Sequence, residues 1–444
     1  MLVVVSAALF VALSTYFNLA TDAFLEADGV THYLYARFSF QTPAYFVDVW
    51  ARPFRMVLHA LPATYFGVHG VRATSMLLAL ATAALAWRAA WSLKLPRPEL
   101  AFVFTLAQPA TFFHSFQELT ELPFAFLVAV AFVGLVEKRW VVFAVACALM
   151  PTARPEGFAV LALAAIACVC YRRWLEILIL PLGLIFWSIL GSTLHPGSPW
   201  YRWLPDHFPY SAKSTYAAGS ILKFGALLPA VVGPLILPFA LVGAWKLATA
   251  TRSIAEGAVA RYVAVGLPLC VLIGHSVLHA LGLMSSSGDI RYLVSFAPLW
   301  ALWPVLGWPV ITQKQFRGIA LASVCILPLL ANIWWRVLPT KIQPDAIAAK
   351  ELFVWTNTLQ ESERPMNILT THPAVLYYFD RPIGDVRLET LDSAPAGTWM
   401  VWDPLMSSAN ASPERVIRVE AMKDWRELDV PIDSVRGAFR VFIK

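Results

Sequence analysis

Apolar segments long enough to cross a bilayer recur along most of this sequence, and no other feature restricts its fold as strongly. A membrane-spanning helix needs roughly 20 apolar residues. Such runs follow one another from Leu2 to about Trp335, and most charged residues fall between them. The chain is 59% hydrophobic and 14% charged, against roughly 45–50% and about 25% in soluble domains. The sequence therefore predicts a mainly α-helical, polytopic transmembrane bundle.

The order of the apolar runs predicts about eleven spans, of which the one at 140-153 is short for a full crossing. The predicted spans are 2-20, 73-92, 100-114, 122-136, 140-153, 157-171, 175-194, 227-245, 262-283, 292-311 and 318-335.

Lysine and arginine are concentrated in alternate loops, and the positive-inside rule places such loops in the cytoplasm. This topology puts the N-terminus in the cytoplasm and the long 21-72 loop on the opposite, outer side. The odd number of spans then places the C-terminal segment outside as well. The basic residues that define the cytoplasmic loops are Lys94, Arg97, Lys138, Arg139, Arg172, Arg173, Lys246, Arg252, Arg261, Lys314 and Arg317.

Residues 339-444 differ in composition from the membrane part and contain no spanning run. Their length suits one modest core. We expect a small soluble α/β domain on the outer surface, with transmembrane residues 1-338 before it. Its predicted helix is 345-361, and its predicted strands are 367-371, 398-402, 415-419 and 439-443.

The first outer loop is too long to be only a connector, and it contains an acid close to the first span. Its segment 30-40 has the spacing of a helix lying at the membrane interface, which would hold Asp28 near the membrane surface. A carboxylate in a poorly hydrated pocket can take a proton from an acceptor hydroxyl. Asp28 is the first candidate base and Glu26 the alternative, while a helix cap or a solvated loop acid would also explain either residue.

The next two outer loops place acids at predicted helix starts. Glu121 and Glu156 would complement the dipole of the following spans, which is a structural explanation for both. Arg154 runs against the charge bias of this side, and its planar fork suits a phosphate or a carboxylate. Anion binding and a structural pair with Glu156 are both left open.

An abruptly polar segment, 285-292, opens the tenth predicted span. Arg291 lies there at the outer mouth, where it could neutralise charge on a departing phosphate, or form a salt bridge with Asp289. On the preceding span, His275 and His279 are spaced i,i+4. Two histidines are a weak metal signal, and interhelical hydrogen bonds explain them better. The aromatic and basic residues 199-205 of the fourth outer loop suit a membrane interface or a cover over the site.

Other classes of function are less consistent with the sequence. The five cysteines lie in apolar runs and suggest neither disulfides nor zinc, and the basic residues form no patch for nucleic acid. A lipid or lipid-linked sugar transporter usually has internal repeats and broken or charged midplane segments. A transporter and a non-catalytic assembly subunit nevertheless stay open as alternatives.

Three short motifs in this order and on one side resemble the polytopic glycosyltransferases of the GT-C type, including bacterial relatives of protein mannosyltransferases and aminoarabinose transferases. The motifs are Glu26-Ala27-Asp28 followed by His32-Tyr33 and Ala36-Arg37, the turn Arg154-Pro155-Glu156-Gly157, and Gly288-Asp289-Ile290-Arg291-Tyr292 with Pro298. The resemblance covers most of the chain.

The resemblance implies an inverting transfer of sugar from a polyprenyl-phosphate-linked donor to a lipid, glycan or protein acceptor on the non-cytoplasmic face. Asp28 would be the general base, and Arg291, with Arg154, would hold the lipid phosphate. Many relatives have two adjacent acids where Gly29 follows Asp28 here, which leaves Glu26 or Asp48 as a partner and leaves metal dependence open. The substrate-binding candidates are Arg291, Tyr292, Arg154, Glu156, Glu26, His32, Asp48, Arg52 and Glu121.

Overall fold

The computed structural model describes residues 1–20, 27–195, 216–249, 258–284, 286–308, 313–337, 343–384, 386, 388–404, 407, 417 and 419–444. Helices dominate these residues, and one small sheet lies near the C-terminus. The helices are α1 Leu2–Ala20, α2 Ala27–Phe38, α3 Pro53–Ser92, α4 Glu99–Leu106, α5 Pro109–His114, α6 Glu121–Val136, α7 Trp140–Ala153, α8 Glu156–Cys170, α9 Trp174–Ile179, α10 Leu182–Leu194, α11 Lys223–Ala226, α12 Leu228–Val232, α13 Leu237–Thr249, α14 Ala258–Ala280, α15 Arg291–Val294, α16 Ala297–Trp300, α17 Leu302–Gly307, α18 Gln313–Cys325, α19 Leu327–Trp335, α20 Pro344–Thr358, α21 Pro373–Tyr378, α22 Leu388–Asp392 and α23 Asp433–Ala438.

Four helical segments of the described chain are long and apolar enough to cross a membrane, and a fifth is the pair α18–α19 if this bent pair is one span. The four are Leu2–Ala20, Pro53–Ser92, Trp174–Leu194 and Val259–Ala280. Shorter apolar helices such as α6, α7 and α8 fill the space between them. The predicted class, a helical membrane bundle, is confirmed, but the predicted spans 100-114, 227-245 and 292-311 are each divided into short helices. Proline near the start of α5 and α16 removes a backbone donor at two of the breaks. At the third, α12 ends at Gly233, whose φ of 102° a helix cannot continue.

The first outer loop is shorter than predicted, because residues 53–72 are helical and continue into the span at 73-92. Helix α3 has 40 residues, which at 1.5 Å each is about 60 Å, roughly twice the thickness of the hydrocarbon core. Gly67 has a non-helical backbone with φ 62° and ψ −152°, and Pro62 lies one turn earlier. The bend lets the first part of α3 support the site and the second part cross the bilayer.

Basic residues end several helices at the end of the bundle opposite Asp28. Lys94, Lys138 and Arg172 each have a left-handed backbone, with φ between 56° and 57°. The next residue donates its N–H to a carbonyl five residues back, as in Arg139 to Gly134 at 2.8 Å. This arrangement satisfies the last carbonyls and places a cation against the negative helix terminus. The residues that indicated cytoplasmic loops therefore also end the helices.

The C-terminal region contains a four-stranded sheet with strands β1 Asn367–Thr370, β2 Thr398–Trp402, β3 Arg426–Glu427 and β4 Arg440–Ile443. Their order is β1-β2-β4-β3, with β1 and β2 parallel and the other pairs antiparallel. Trp399, Leu352 and Phe439 belong to a core that is separate from that of the bundle. The strand predicted at 415-419 falls mostly outside the described residues, and Val419 begins a 3-10 turn.

Helix α21 joins this region to the membrane part by packing against α2. Tyr377 contacts the ring of Tyr33 edge-on at 5.5 Å, and Leu376 is buried in the same cluster. Asp380 forms an ion pair with Arg37 at 3.6 Å. The C-terminal region thus lies at the same end of the molecule as Asp28 and stabilises the helix that carries this acid.

Shortening Leu376 tests this contact. Leu376→Ala should weaken the packing of α21 on α2 by about 2–5 kcal/mol, because it removes buried apolar atoms. Hydrogen exchange measured by mass spectrometry should then be faster in both helices. Met366→Ala is the matched control, because Met366 is 75% exposed and should leave exchange in α2 unchanged. Equal protection of α2 in the two variants would show that α21 does not stabilise it.

Candidate functional site

Asp28 and Arg291 meet directly, although 263 positions separate them in the sequence. Asp28 stands in the first turn of α2, and Arg291 is the first residue of α15. The Nη1 atom of Arg291 donates to Oδ2 of Asp28 at 2.7 Å, and the two side chains are 19% and 34% exposed. This ion pair lies at the molecular surface, where a ligand could reach both groups.

The turn before α15 restricts where Arg291 can lie. Asp289 accepts a hydrogen bond from the backbone N–H of Arg291 at 3.0 Å, and its Oδ2 is 3.9 Å from Nε of the same residue. The salt bridge to Asp289 that the sequence offered as an alternative is therefore present beside the pair with Asp28. Gly288, with φ +72°, makes the turn.

The ring of Tyr292 contacts two guanidinium groups. Its ring stacks on His275 of α14 with centroids 4.5 Å apart and an interplanar angle of 15°. The guanidinium carbons of Arg291 and Arg154 lie 5.9 and 5.7 Å from the same ring centroid. Cations are attracted to an aromatic face, so the ring helps to hold two arginines close together.

Arg154 forms a buried ion-pair cluster with the acids that begin the two neighbouring helices. It pairs with Glu121 at the start of α6 and with Glu156 at the start of α8, at 2.8 Å. Its Nη1 also donates to Thr120 at 3.0 Å. The structure therefore contains the structural pair with Glu156 that the sequence left open, and its guanidinium is occupied by carboxylates.

His32 lies one turn after Asp28 in α2, in a strongly cationic environment. Its ring stacks on Trp50 at 6.2 Å, and Arg55, Arg52, Arg291 and Arg154 all lie within electrostatic reach. Burial, followed by these cations, lowers the pKa of His32 well below its ordinary value of 6.5. The imidazole is therefore neutral at pH 7.

Asp48 and Arg52 form the turn that leads into α3. The Oδ1 atom of Asp48 accepts the backbone N–H groups of Trp50 and Ala51 at 2.8 and 3.1 Å. Arg52 caps α3 with a left-handed backbone, φ 66°, and is buried. Burial raises the pKa of Asp48. Asp48 thus shapes the turn that carries Arg52, and it stays a proposal as a partner of Asp28.

Glu118 occupies the space beside Gly29 that a side chain would need. A Cβ at Gly29 would lie 2.8 Å from Oε2 of Glu118, and Oε1 of Glu118 pairs with Arg72 at 2.5 Å. Both partners are almost completely buried. A carboxylate of the second predicted outer loop therefore lies beside Gly29, the residue that follows Asp28.

Two predicted features lie outside the described residues: Glu26, and the aromatic segment 199-205. Among the residues that the structure does describe, no three His, Cys, Asp or Glu side chains are grouped so that they could hold a metal ion. His275 and His279 point to different partners, since His275 stacks on Tyr292 and His279 bonds to the carbonyl of Ser286.

Comparison with known proteins identifies the fold. No family model matches the sequence, and no curated protein matches it. Two crystal structures of ArnT from Cupriavidus metallidurans are similar over 98% of this chain and 97% of theirs, each with a TM-score of 0.66. One is bound to undecaprenyl phosphate and is 14% identical, and the other is in the apo state and is 13% identical.

The chain has the ArnT fold. The resemblance to GT-C type enzymes that the sequence motifs suggested is thereby confirmed at the level of the fold. The likeness extends through the C-terminal region, because nearly the whole length of both chains is covered. At this low identity the match shows the architecture alone.

Within the ArnT fold, the sequence reasoning missed Arg55, Arg72 and Glu118 as parts of the site's frame. Arg55 is completely buried; it donates to the backbone carbonyls of His32 at 2.8 Å and Glu118 at 3.0 Å. It was missed because residues 53–72 were assigned to a loop. An available signal was that Arg55 and His59 are one helical turn apart in an apolar stretch, where ionisable residues usually have a specific role.

Removing Arg154 should destabilise the protein strongly. Arg154→Met would leave Glu121 and Glu156 buried without their cation, at a cost of about 3–5 kcal/mol. Thermal unfolding in detergent should show a much lower Tm. The double variant Arg154→Met with Glu121→Gln removes one of the stranded charges, so it should recover part of the loss. A single variant as stable as the wild type would contradict the structural role of this cluster.

Protonation of His32 should destabilise the fold at acidic pH. Its folded pKa is depressed, so the unfolded chain binds the proton more readily, and stability falls as pH drops below about 6.5. Between pH 7.5 and 5.5, the Tm of the His32→Gln variant should fall less steeply with decreasing pH than the Tm of the wild type. His69→Gln is the control, because His69 is exposed. The same pH dependence in wild type and His32→Gln would show that His32 contributes nothing to acid sensitivity.

Proposed function

We propose that this protein transfers a sugar from a polyprenyl-phosphate-linked donor to an acceptor hydroxyl on the non-cytoplasmic side of the membrane. The observation that carries the proposal is the contact of Asp28 with Arg291 at a partly exposed site, in a chain with the ArnT fold. An ArnT structure holds undecaprenyl phosphate, so a lipid phosphate is the natural ligand to consider for Arg291.

The chemical step needs one base and one group that stabilises a leaving phosphate. Asp28 takes the proton of the acceptor hydroxyl, whose oxygen attacks the anomeric carbon. The bond between that carbon and the phosphate oxygen breaks, and the lipid phosphate leaves with an additional negative charge. Direct displacement on the opposite face inverts the anomeric carbon. A single carboxylate is sufficient as base.

Arg291 is suited to the departing phosphate, because charge that develops in the transition state is stabilised best by a cation already in place. Arg52, which is buried near the same imidazole of His32, is proposed as a second phosphate-binding residue, and Tyr292 supports the guanidinium of Arg291. Arg154, Glu121 and Glu156 are proposed to frame the pocket rather than bind phosphate, because they pair with one another.

Because Asp28 occupies Arg291, the donor phosphate has to compete with this carboxylate for the guanidinium, and this competition sets the order in which donor and acceptor react. While Oδ2 of Asp28 is bound to Arg291, that oxygen is not available to the acceptor hydroxyl. An arriving phosphate competes for the guanidinium and releases the carboxylate toward the acceptor. Departure of the lipid phosphate restores the pair. Donor binding therefore activates the base, and acceptor deprotonation before donor binding is disfavoured.

Replacing Asp28 distinguishes its role as the base from its competition with the lipid phosphate for Arg291. Asp28→Asn should lower the release of undecaprenyl phosphate from undecaprenyl-phosphate-linked pentoses and hexoses by about 100-fold or more, because the base is lost. Native membranes that contain the acceptor would be used for this assay. Binding of undecaprenyl phosphate itself, measured by native mass spectrometry, should stay equal or become tighter, because the competing carboxylate is gone.

Asp424→Asn is the matched control for this variant, because Asp424 is an exposed acid of the C-terminal region and should leave transfer unchanged. Full activity of Asp28→Asn would remove this residue from the mechanism. Movement of the intact lipid-linked sugar across liposome membranes without cleavage would favour the transporter instead. Weaker lipid-phosphate binding in Arg291→Gln supports the assigned role of the arginine.

A further inference from the structure

His279 lies at the end of α14, where the chain is held by several contacts that the proposed chemistry does not use. Its side chain is 8% exposed. Its Nδ1 atom donates to the carbonyl of Ser286 at 3.1 Å, so this ring nitrogen carries the proton. The backbone carbonyl of His279 accepts the N–H of Gly219 at 3.0 Å. One residue thus bonds to two outer segments.

The imidazole is also enclosed by two glycines, one in each of these segments. A Cβ built at Gly219 would lie 2.0 Å from Nε2 of His279, and a Cβ built at Gly288 would lie 2.8 Å from Cε1. Distances this short exclude a side chain at either position while the ring is in place. The ring therefore fills the gap between the two segments.

The position of Arg291 depends on one of these segments. Gly288, against the ring, has φ +72°, a conformation that glycine adopts without strain. Asp289 follows and accepts the N–H of Arg291 at 3.0 Å. A shift of the 286–288 backbone would therefore move the start of α15 and the guanidinium that reaches Asp28.

The other segment contains Tyr216, which lies within electrostatic reach of Asp28 and Arg291. Tyr216 is three residues before Gly219, whose contact with His279 holds this part of the chain. Burial, followed by Asp28, raises the pKa of the Tyr216 phenol. The two segments that touch His279 thus approach the Asp28–Arg291 pair from different parts of the sequence.

We propose that His279 is a positioning residue that holds the 286–288 turn and the 216–219 segment in register, so that Arg291 faces Asp28 and the lipid phosphate. The inference rests on the proposed role of Arg291. It assigns to His279 no contact with substrate. A misplacement of about 1 Å at a reacting group can reduce activity about 100-fold, so a residue that acts only through the backbone can matter this much.

The hydrogen bond to Ser286 is tested with two variants. His279→Ala should weaken undecaprenyl phosphate binding and lower transfer by about 10- to 100-fold. His279→Asn should recover most of both, because the asparagine amide can donate to the Ser286 carbonyl in place of Nδ1. Equal losses in both variants, or wild-type activity in His279→Ala, would overturn the proposal.

The packing of the ring gives a second, independent test. Gly219→Ala should impair transfer in the wild-type background, because its Cβ would overlap the imidazole. The same change should have little further effect in the His279→Ala background, where the space is open. Gly225→Ala is the matched control, because no atom lies within 4 Å of the position of its Cβ. Additive losses from Gly219→Ala and His279→Ala would contradict the proposed contact.

Arg291→Gln separates failure of this inference from failure of the proposed function. If His279 acts through Arg291, His279→Ala should cause no further loss of lipid-phosphate binding in the Arg291→Gln background. Normal binding and transfer in Arg291→Gln alone would contradict the proposed function. Impaired Arg291→Gln together with a fully active His279→Ala would overturn only the inference about His279.

Discussion

The ion pair between Asp28 and Arg291 is the constraint on which the rest of the site depends. A charge at the edge of an apolar bundle is stable only where it has a partner or water. The two residues are on short helices from opposite halves of the sequence, so the bundle has to bring α2 and α15 to one point. The packing of α21 on α2 and the turn before α15 both serve this requirement.

The other buried charges have a different role. Arg72 with Glu118, and Arg154 with two acids, are paired within a nearly water-free environment. Separating such pairs is costly, because each remaining charge stays buried. They therefore act as a rigid frame. Arg291 is more exposed than these arginines, and its partner Asp28 is also partly exposed, so a ligand can reach both side chains. Exchange of partners is therefore proposed at Arg291.

The sequence predicted the parts of the molecule in which local pattern and final structure agree. The helix around Asp28, three of the four strands, and the helix starts at Glu121 and Glu156 all follow from periodicity or helix-dipole chemistry. The positive-inside rule also predicted that residues 28 and 291 share one side, and the structure places them in contact. These features depend on neighbours in sequence or on the charge of whole loops.

What the sequence did not predict depends on tertiary contacts. The helix through residues 53–72 was assigned to the first outer loop, and only the fold shows that Arg55 and Arg72 are buried with partners. The supply of a carboxylate beside Gly29 by Glu118 has no sequence signal either. The two-residue strand β3 is too short to show a pattern.

A structure of this protein bound to undecaprenyl phosphate would test the central claim most directly. We expect the phosphate within hydrogen-bonding distance of Arg291, with the carboxylate of Asp28 turned away from the guanidinium and toward the acceptor. An unchanged 2.7 Å contact between Asp28 and Arg291, with the phosphate bound elsewhere, would contradict it.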